Sequence, residues 1–308
     1  MITKNLAFIF PGQGSQFVGM GRDLAQKSEM LAHFFAEANE TIGETLTHLM
    51  FEGPEEELKL TSNAQPALFL MECALLKGLE TLGIRPVIVA GHSVGEYAAL
   101  VAAGVMDYGH GLWLVRQRGA LMQDAGEAAP GGMVAVLGID DEQAAKACAE
   151  AEGTVCVANY NSPGQVVLSG ESAALERAVE KCKSYGAKKA IPLAVSGAFH
   201  SPLLNNAAER LNESLERVIF EDARIPLVSN YDGLAHTSGD QIKDNLMRQM
   251  TSGVQWSKTM TTIVKSGVQG IVELGPGSVL SGLCKRCAPD LACYQIGTWD
   301  ELQAFSGI

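Results

Sequence analysis

The sequence has 308 residues, of which 47% are hydrophobic and 19% are charged. This size and composition allow one large domain or two smaller ones, and they exclude a disordered or fibrous protein. The net charge of −12 argues against a general nucleic-acid binder. Seven cysteines at irregular spacing predict free thiols in a reducing cytoplasm rather than a disulfide framework.

The apolar runs near the amino terminus do not predict a targeting or membrane segment. The first run, Leu6–Phe10, is short and ends at a Pro-Gly pair, so it predicts a strand and not a signal peptide. The longest apolar stretch, residues 87–106, contains His92 and Glu96. Since a membrane span would not place these two side chains near its middle without a partner, we expect no contact with a membrane.

Strand-like runs alternate with helical patterns along the chain, which predicts an α/β protein. After the first strand and a glycine-containing loop, the patterns predict, in chain order, a helix at 24–50, a helix at 66–82, a strand at 87–90 and a helix at 96–103.

The segment 128–197 has a different order of elements. Strand patterns at 133–137, 155–159, 166–169 and 187–193 alternate with helical patterns at 141–152 and 173–185. This β-α-β-β-α-β order is the ferredoxin-like unit. We therefore predict a small ferredoxin-like subdomain, residues 128–197, inserted into a larger α/β body, residues 1–127 and 198–308. The body resumes with a helix at 203–218, a strand at 226–230, a helix at 254–265 and a strand at 270–274.

Residues 91–95 read GHSVG and place Ser93 between a predicted strand and a predicted helix. The pattern GxSxG is common by chance, but this context is the one that a nucleophile elbow requires. The tight turn lifts a serine clear of the sheet, and the helix amino terminus directs amide groups at the same point. The sequence therefore predicts that Ser93 is a nucleophile.

A nucleophilic serine needs a base and an oxyanion hole. His200 lies in a loop at the exit of the predicted small subdomain, immediately before a helix, and is the best placed histidine. Val94 follows the nucleophile and can supply one backbone amide, and the loop containing Gln13 can supply a second. Cys284 and Cys287 form a single CxxC pair in a helical pattern, so we predict no metal site.

Five short motifs occur in the order that is typical of one family. They are PGQGSQ at 11–16, GHSVGE at 91–96, QRG at 117–119, AFHSP at 198–202 and ELGPG at 273–277. Together they resemble the malonyl-CoA:acyl-carrier-protein transacylases of bacterial type II fatty acid synthesis, over essentially the whole chain. The resemblance implies a hydrolase-like large subdomain with an inserted ferredoxin-like small subdomain, and a cytoplasmic enzyme.

The resemblance also implies a role for each matching residue. Ser93 would form a malonyl ester and His200 would act as its base. Arg118 would bind the free malonyl carboxylate through its guanidinium fork. Gln13 and Val94 would donate backbone N–H groups to the oxyanion.

Three further positions follow from the same resemblance. Gln249 would orient His200 through its main-chain carbonyl, in place of an aspartate. Asn161 would line the cleft. Phe199 would select malonyl groups, since a bulky ring before His200 would crowd an α-methyl substituent.

The expected partners are malonyl-CoA and an acyl carrier protein, with no nucleic acid, membrane or metal. No cofactor is expected beyond the coenzyme A thioester, which is a substrate. Acyl carrier proteins are acidic, so docking on a chain of net charge −12 requires a local basic patch. The candidate residues for this patch are Lys188, Lys189, Lys285 and Arg286.

Three other functions share some of these features. A serine esterase or thioesterase would present an acidic partner to His200, for which Asp107, Asp124 and Asp140 lie in a suitable interval of the chain. A free-standing acyltransferase of a polyketide synthase would share every motif. A non-catalytic carrier-binding module would not need Ser93, His200 and Arg118 together.

Overall fold

The computed structural model describes residues 5–43, 45–129, 131–195 and 197–305. Positions 130 and 196 of the predicted small subdomain therefore lie outside the described residues. The described strands are β1 Leu6–Phe10, β2 Ile88–Gly91, β3 Gly131–Leu137, β4 Val155–Ser162, β5 Gln165–Glu171, β6 Lys189–Pro192, β7 Leu227–Val228, β8 Ala235–His236, β9 Gly270–Leu274 and β10 Ala292–Ile296.

Helices alternate with the strands along the chain, and several of them pack against one of two sheets. The described helices are α1 Arg22–Lys27, α2 Glu29–Ile42, α3 Leu46–Glu52, α4 Glu55–Lys59, α5 Thr61–Thr81, α6 Gly95–Ala103, α7 Tyr108–Ala128, α8 Asp141–Ala149, α9 Ser172–Ser184, α10 Asn205–Leu215, α11 Gly239–Gln249, α12 Trp256–Lys265, α13 Val279–Cys287 and α14 Trp299–Phe305.

The larger sheet has the order β10-β9-β1-β2-β7-β8 and is parallel except for β8. Every residue of β1, β2 and β9 is buried, as expected for parallel strands covered by helices on both faces. The loops after β1 and β2 leave the carboxyl edge of the sheet side by side, which is the edge where open α/β sheets bind ligands. This edge positions the loop containing Gln13 and the turn at Ser93.

The smaller sheet is antiparallel, with the order β4-β5-β3-β6. Helices α8 and α9 cover one face around Val136, Val166 and Leu168. The other face, including Met133 and Ala135, lies against the large body and lines a cleft. This is the ferredoxin-like arrangement, so the predicted fold class is confirmed. The boundaries at 128 and 197 stay a prediction.

Several predicted elements differ from the structure. The single helix predicted at 24–50 is wrong, because Ser28 caps a new helix and Gly43 turns into the left-handed region, which gives α1, α2 and α3. The helix predicted at 66–82 begins earlier, at Thr61, and contains Pro66. The strand predicted at 226–230 is only Leu227–Val228. Among the described residues, no helix combines the length and the apolar character that crossing a bilayer requires.

Candidate active site

Ser93 lies at the sharp turn between β2 and α6, with a backbone φ of 54°. The flanking glycines are required by space. A Cβ on Gly91 would lie 2.0 Å from backbone atoms of Gly95, and a Cβ on Gly95 would lie 2.2 Å from the carbonyl oxygen of Phe10. Since no side chain fits at either position, the elbow can form only with glycine on both sides of this turn.

His200 is in direct contact with Ser93. The Ser93 hydroxyl lies 2.7 Å from His200 Nε2, and Nδ1 of the same ring lies 3.0 Å from the main-chain oxygen of Gln249. Because a carbonyl can only accept, Nδ1 carries the proton and Nε2 is free to accept from Ser93. Burial, together with the nearby Arg118 charge, lowers the pKa of His200 to about 3, so the imidazole is neutral at physiological pH.

The acidic partner expected for a serine hydrolase is not in contact with His200 among the described residues. Asp107 caps α7 and pairs with His110, and Asp140 caps α8. Asp124 is exposed on α7. The ring of His200 is therefore oriented by the Gln249 carbonyl, a neutral group.

Arg118 lies on α7 and is buried, with only 1% of its surface exposed. Its Nη2 donates to Ser93 Oγ at 3.1 Å and to Gln249 Oε1 at 3.0 Å, and its Nη1 donates to Gln65 Oε1 at 2.7 Å. In the part of the chain that the structure describes, no carboxylate forms a salt bridge with it. The charge beside the serine is therefore free to bind an anionic group of a substrate.

The side chain of Gln249 contributes as well as its carbonyl. Its Nε2 donates to the Ser93 carbonyl oxygen at 2.9 Å and to Glu96 Oε2 at 2.6 Å. Asn230 holds the other side of the elbow, because its Oδ1 accepts from the Ser93 amide at 2.7 Å. The sequence did not single out Glu96 as a site residue, although a carboxylate inside an apolar stretch was a signal that could have found it. Asn230 follows β7 at the carboxyl edge of the parallel sheet, where functional side chains collect.

Gln13 and Val94, predicted to form the oxyanion hole, both line the cleft beside Ser93. Between described residues, neither backbone amide donates a hydrogen bond, so both are available to a ligand. The side chain of Gln13 is held by Thr61, to which its Nε2 donates at 3.0 Å. Gly12 lets the loop after β1 lie close to the elbow, because a Cβ on Gly12 would lie 2.8 Å from the carbonyl oxygen of His92.

The cleft between the large body and the small sheet has a volume of about 250 Å³ and contains both remaining substrate positions. Phe199 is 5% exposed and lines the wall next to His200. Asn161 also lines the cleft, and its Oδ1 lies 3.0 Å from His92 Nε2. Asn161 thus orients the ring that precedes the nucleophile as well as contributing a polar surface.

Two of the four predicted docking residues lie at one edge of the cleft. Arg286, on α13, donates to the side chain of Gln165, which lines the cleft. Gln165 is directly opposite Leu137, and Leu137 is directly opposite Lys189, so these three residues occupy one face of the small sheet. Two strand spacings separate Gln165 from Lys189, or about 10 Å.

The other two docking candidates are less informative. Lys285 is exposed on α13, and Lys188 is exposed with its side chain alongside Gly138. In the CxxC pair, Cys284 is buried and Cys287 points its thiol at the main-chain oxygen of Asn161, 3.7 Å away. Within the described ranges, no group of three potential metal ligands occurs.

Comparison with known proteins gives one consistent family. The profile of the acyl transferase domain matches residues 7–298. A malonyl CoA-acyl carrier protein transacylase of Bacillus subtilis is 45% identical over 92% of this chain and 90% of that protein. The Escherichia coli K12 protein of the same name is 45% identical over 92% of this chain and 93% of that protein.

Two solved structures extend the likeness to the fold. The acyl carrier protein S-malonyltransferase of Vibrio cholerae superposes with a TM-score of 0.93, at 43% identity over 98% of this chain and 99% of that one. A malonyl-transacylase in complex with its type II polyketide synthase acyl carrier protein superposes with a TM-score of 0.93, at 42% identity over 97% of this chain and 98% of that one.

Proposed function

Because this chain belongs to the malonyl-CoA–acyl carrier protein transacylases, a family of acyl transferases, we propose that it moves a malonyl group from malonyl-CoA to the phosphopantetheine thiol of an acyl carrier protein. The group is carried as an ester of Ser93. One observation supports this most: the Ser93 hydroxyl contacts a neutral histidine on one side and a buried guanidinium on the other. The histidine activates Ser93 to form an acyl ester, and the guanidinium selects an acyl group that ends in a carboxylate.

In the first half-reaction, Ser93 Oγ attacks the thioester carbonyl while His200 Nε2 takes its proton. The negative charge that develops on the carbonyl oxygen is bound by the amides of Gln13 and Val94. The tetrahedral intermediate then collapses, and the proton on His200 is transferred to the departing coenzyme A sulfur. The malonyl ester of Ser93 remains.

In the second half-reaction, the carrier thiol enters the same cleft and gives its proton to His200. The sulfur attacks the ester carbonyl, the oxyanion forms again at the same two amides, and Ser93 leaves with the proton from His200. Nucleophile, base and anion-binding groups all come from the chain, so the reaction needs no cofactor besides the coenzyme A thioester.

Arg118 would bind the malonyl carboxylate through two of its guanidinium nitrogens. Gln65 and Gln249 hold the fork in place. When the carboxylate binds, Nη2 would exchange its contact with Ser93 Oγ for the substrate, which frees the serine for attack. An acetyl group has no carboxylate and would leave the buried charge without a partner.

The cellular setting is also a proposal. All seven cysteines are free, which suits a reducing cytoplasm. A carrier of fatty acid synthesis is the expected acceptor. A polyketide synthase carrier is the second candidate, since one similar structure holds such a carrier. Transfer rates to the two carriers, measured with the same malonyl-enzyme, distinguish them.

The test is intact-mass analysis after mixing with malonyl-CoA. We expect one malonyl group per chain, located at Ser93 by peptide mapping and discharged by adding carrier protein. Ser93→Ala should abolish the label, whereas Ser184→Ala, an exposed serine at the end of α9, should retain it. A label that stays on another residue in Ser93→Ala would overturn the proposal.

A further inference from the structure

Glu96 is a buried carboxylate that lies three residues after the nucleophile and does not line the cleft. It is 1% exposed and sits in the first turn of α6. Its two oxygens accept hydrogen bonds from different segments: Oε2 from Gln249 Nε2 at 2.6 Å, and Oε1 from the backbone amide of Asn230 at 3.3 Å. The carboxylate therefore ties together α6, the end of α11 and the loop after β7.

Both partners of Glu96 also hold the peptide groups of Ser93. Asn230 accepts from the Ser93 amide at 2.7 Å, and Gln249 Nε2 donates to the Ser93 carbonyl oxygen at 2.9 Å. Ser93 has a φ of 54°, a conformation that a serine keeps only when its surroundings impose it. Glu96 thus anchors the two groups that hold this backbone conformation from either side.

Glu96 also decides which way the Gln249 amide faces. An ionised carboxylate can only accept, so Gln249 must present Nε2 to Glu96 and Oε1 to Arg118. The contacts have this arrangement, with Oε1 accepting from Arg118 Nη2 at 3.0 Å. The reversed amide would place its NH₂ group against the guanidinium and leave Arg118 without this acceptor.

We propose that Glu96 is a positioning residue for malonyl transfer: it fixes the Gln249 side chain and the Asn230 backbone so that the Ser93 elbow and the Arg118 guanidinium stay aligned. The inference rests on the proposed function, since it assigns Glu96 a role in that reaction. Glu96 itself touches neither Ser93 Oγ nor the cleft, so it acts through its two partners.

The protonation of Glu96 should be visible in the rate. Burial raises the pKa of Glu96 to about 7, against the lowering effect of its hydrogen bonds and of Arg118. Of the titratable groups near the elbow, burial lowers the pKa of His200 to about 3 and the pKa of His92 below its ordinary value, and it raises the pKa of Tyr97 to about 12.

Protonation removes the negative charge of Glu96 and turns one of its oxygens into a hydroxyl donor, so the hydrogen bonds from Gln249 and Asn230 are weakened. Malonyl loading should therefore fall as the pH drops from 8 to 6. Glu96→Gln imitates the protonated form at every pH, so its slower loading should be nearly independent of pH over this range.

The experiment measures single-turnover malonyl loading of Ser93 by mass spectrometry from pH 6 to 8. At pH 8, Glu96→Gln should load about 10- to 100-fold more slowly than the parent, the range expected when a hydrogen bond to a charged group is lost. The matched control is Glu72→Gln, another buried carboxylate, whose oxygens have no hydrogen-bond partner among the described residues. Glu72→Gln should keep the parent rate and the parent pH profile.

A second readout separates positioning from general stability. Because Glu96 acts through Gln249, the Glu96→Gln substitution should slow malonyl loading much less in the Gln249→Ala variant than in the parent. Equal loading by Glu96→Gln and the parent at pH 8 would overturn the inference while leaving the malonyl-Ser93 ester intact. A parent that is never labelled at Ser93 would instead overturn the proposed function. If Glu96→Gln does not fold, a parent profile that is flat from pH 8 to 6 overturns the inference.

Discussion

Ser93 and His200 are the two non-glycine residues with a left-handed backbone in the described part of the chain, each with a φ of 54°, and their side chains meet at 2.7 Å. Such conformations cost about 1–3 kcal/mol each and persist where the surrounding structure imposes them. Here the surroundings are polar contacts, from Asn230 and Gln249 to the two peptide groups of Ser93. The reacting pair is therefore strained at both members and held by its neighbours.

This strain predicts an unusual order of stability. Ser93→Gly should be about 1 kcal/mol more stable than Ser93→Ala, because glycine adopts positive φ without the Cβ penalty. Urea unfolding of the two inactive variants measures the difference. At Ser214, which lies in α10 with helical geometry, the order should reverse. If the alanine variant were more stable than the glycine variant at both positions, the φ of Ser93 would carry no strain.

Burial of the neutral His200 ring predicts a loss of stability in acid. Its pKa is about 3 in the folded chain and about 6.5 when unfolded, so below pH 6.5 the unfolded chain binds the extra proton. The contribution of His200 to stability is therefore complete at neutral pH and is lost as the pH falls. Between pH 7 and 5 the parent should lose about 2 kcal/mol more than His200→Gln. Urea unfolding at both pH values tests this, and equal losses would place a protonated His200 in the folded state.

Arg118 should determine the preference for malonyl over acetyl groups. Arg118→Ala removes the partner of a buried substrate carboxylate, a loss that typically costs about 3–5 kcal/mol. Loading from malonyl-CoA should fall far more than loading from acetyl-CoA. Arg118→Lys keeps the charge but not the fork, so it should recover malonyl loading only in part. Equal losses of the two activities in Arg118→Ala would mean that the residue only supports the fold.

Local patterns in the sequence were enough to predict part of this site. The strand, tight turn and helix around Ser93 are adjacent in the chain. The ferredoxin-like order of strands and helices is visible in the sequence because turn residues separate the apolar patterns of these elements. The single helix predicted at 24–50 failed because its apolar pattern continues past Gly43, where the backbone turns to a φ of 67°. A pattern of hydrophobic residues cannot show that a glycine ends a helix when both sides of it pack on the same core.

The contacts that complete the site were not predictable from local patterns. Three side chains reach the site through contacts that are far apart in sequence: Gln65, on α5, contacts Arg118, while Asn230, after β7, and Gln249, on α11, contact the peptide groups of Ser93. An amide has no fixed role until its neighbours determine which end donates. The burial of Arg118 likewise follows from α7 packing beside α5, not from the residues around it.

The chain has a net charge of −12, so an acidic partner is repelled overall and must meet a local positive surface. Lys189 and Arg286 occupy one edge of the cleft, on either side of Gln165 and Leu137. Both side chains are exposed, so their effect is on association and is screened by salt.

Reversal of both charges, Lys189→Glu with Arg286→Glu, should slow transfer to the carrier about 10-fold at low salt, since such changes act on association rates over roughly 1–3 decades. The defect should shrink as salt is added, while loading from malonyl-CoA changes less. The control reverses Lys146 and Lys183, exposed on the helices that cover the opposite face of the small sheet, and so gives the same net charge. Because only position differs, a slower transfer in the first variant alone assigns docking to this edge. Equal transfer by the two variants at low salt would mean that the carrier docks elsewhere or responds only to net charge.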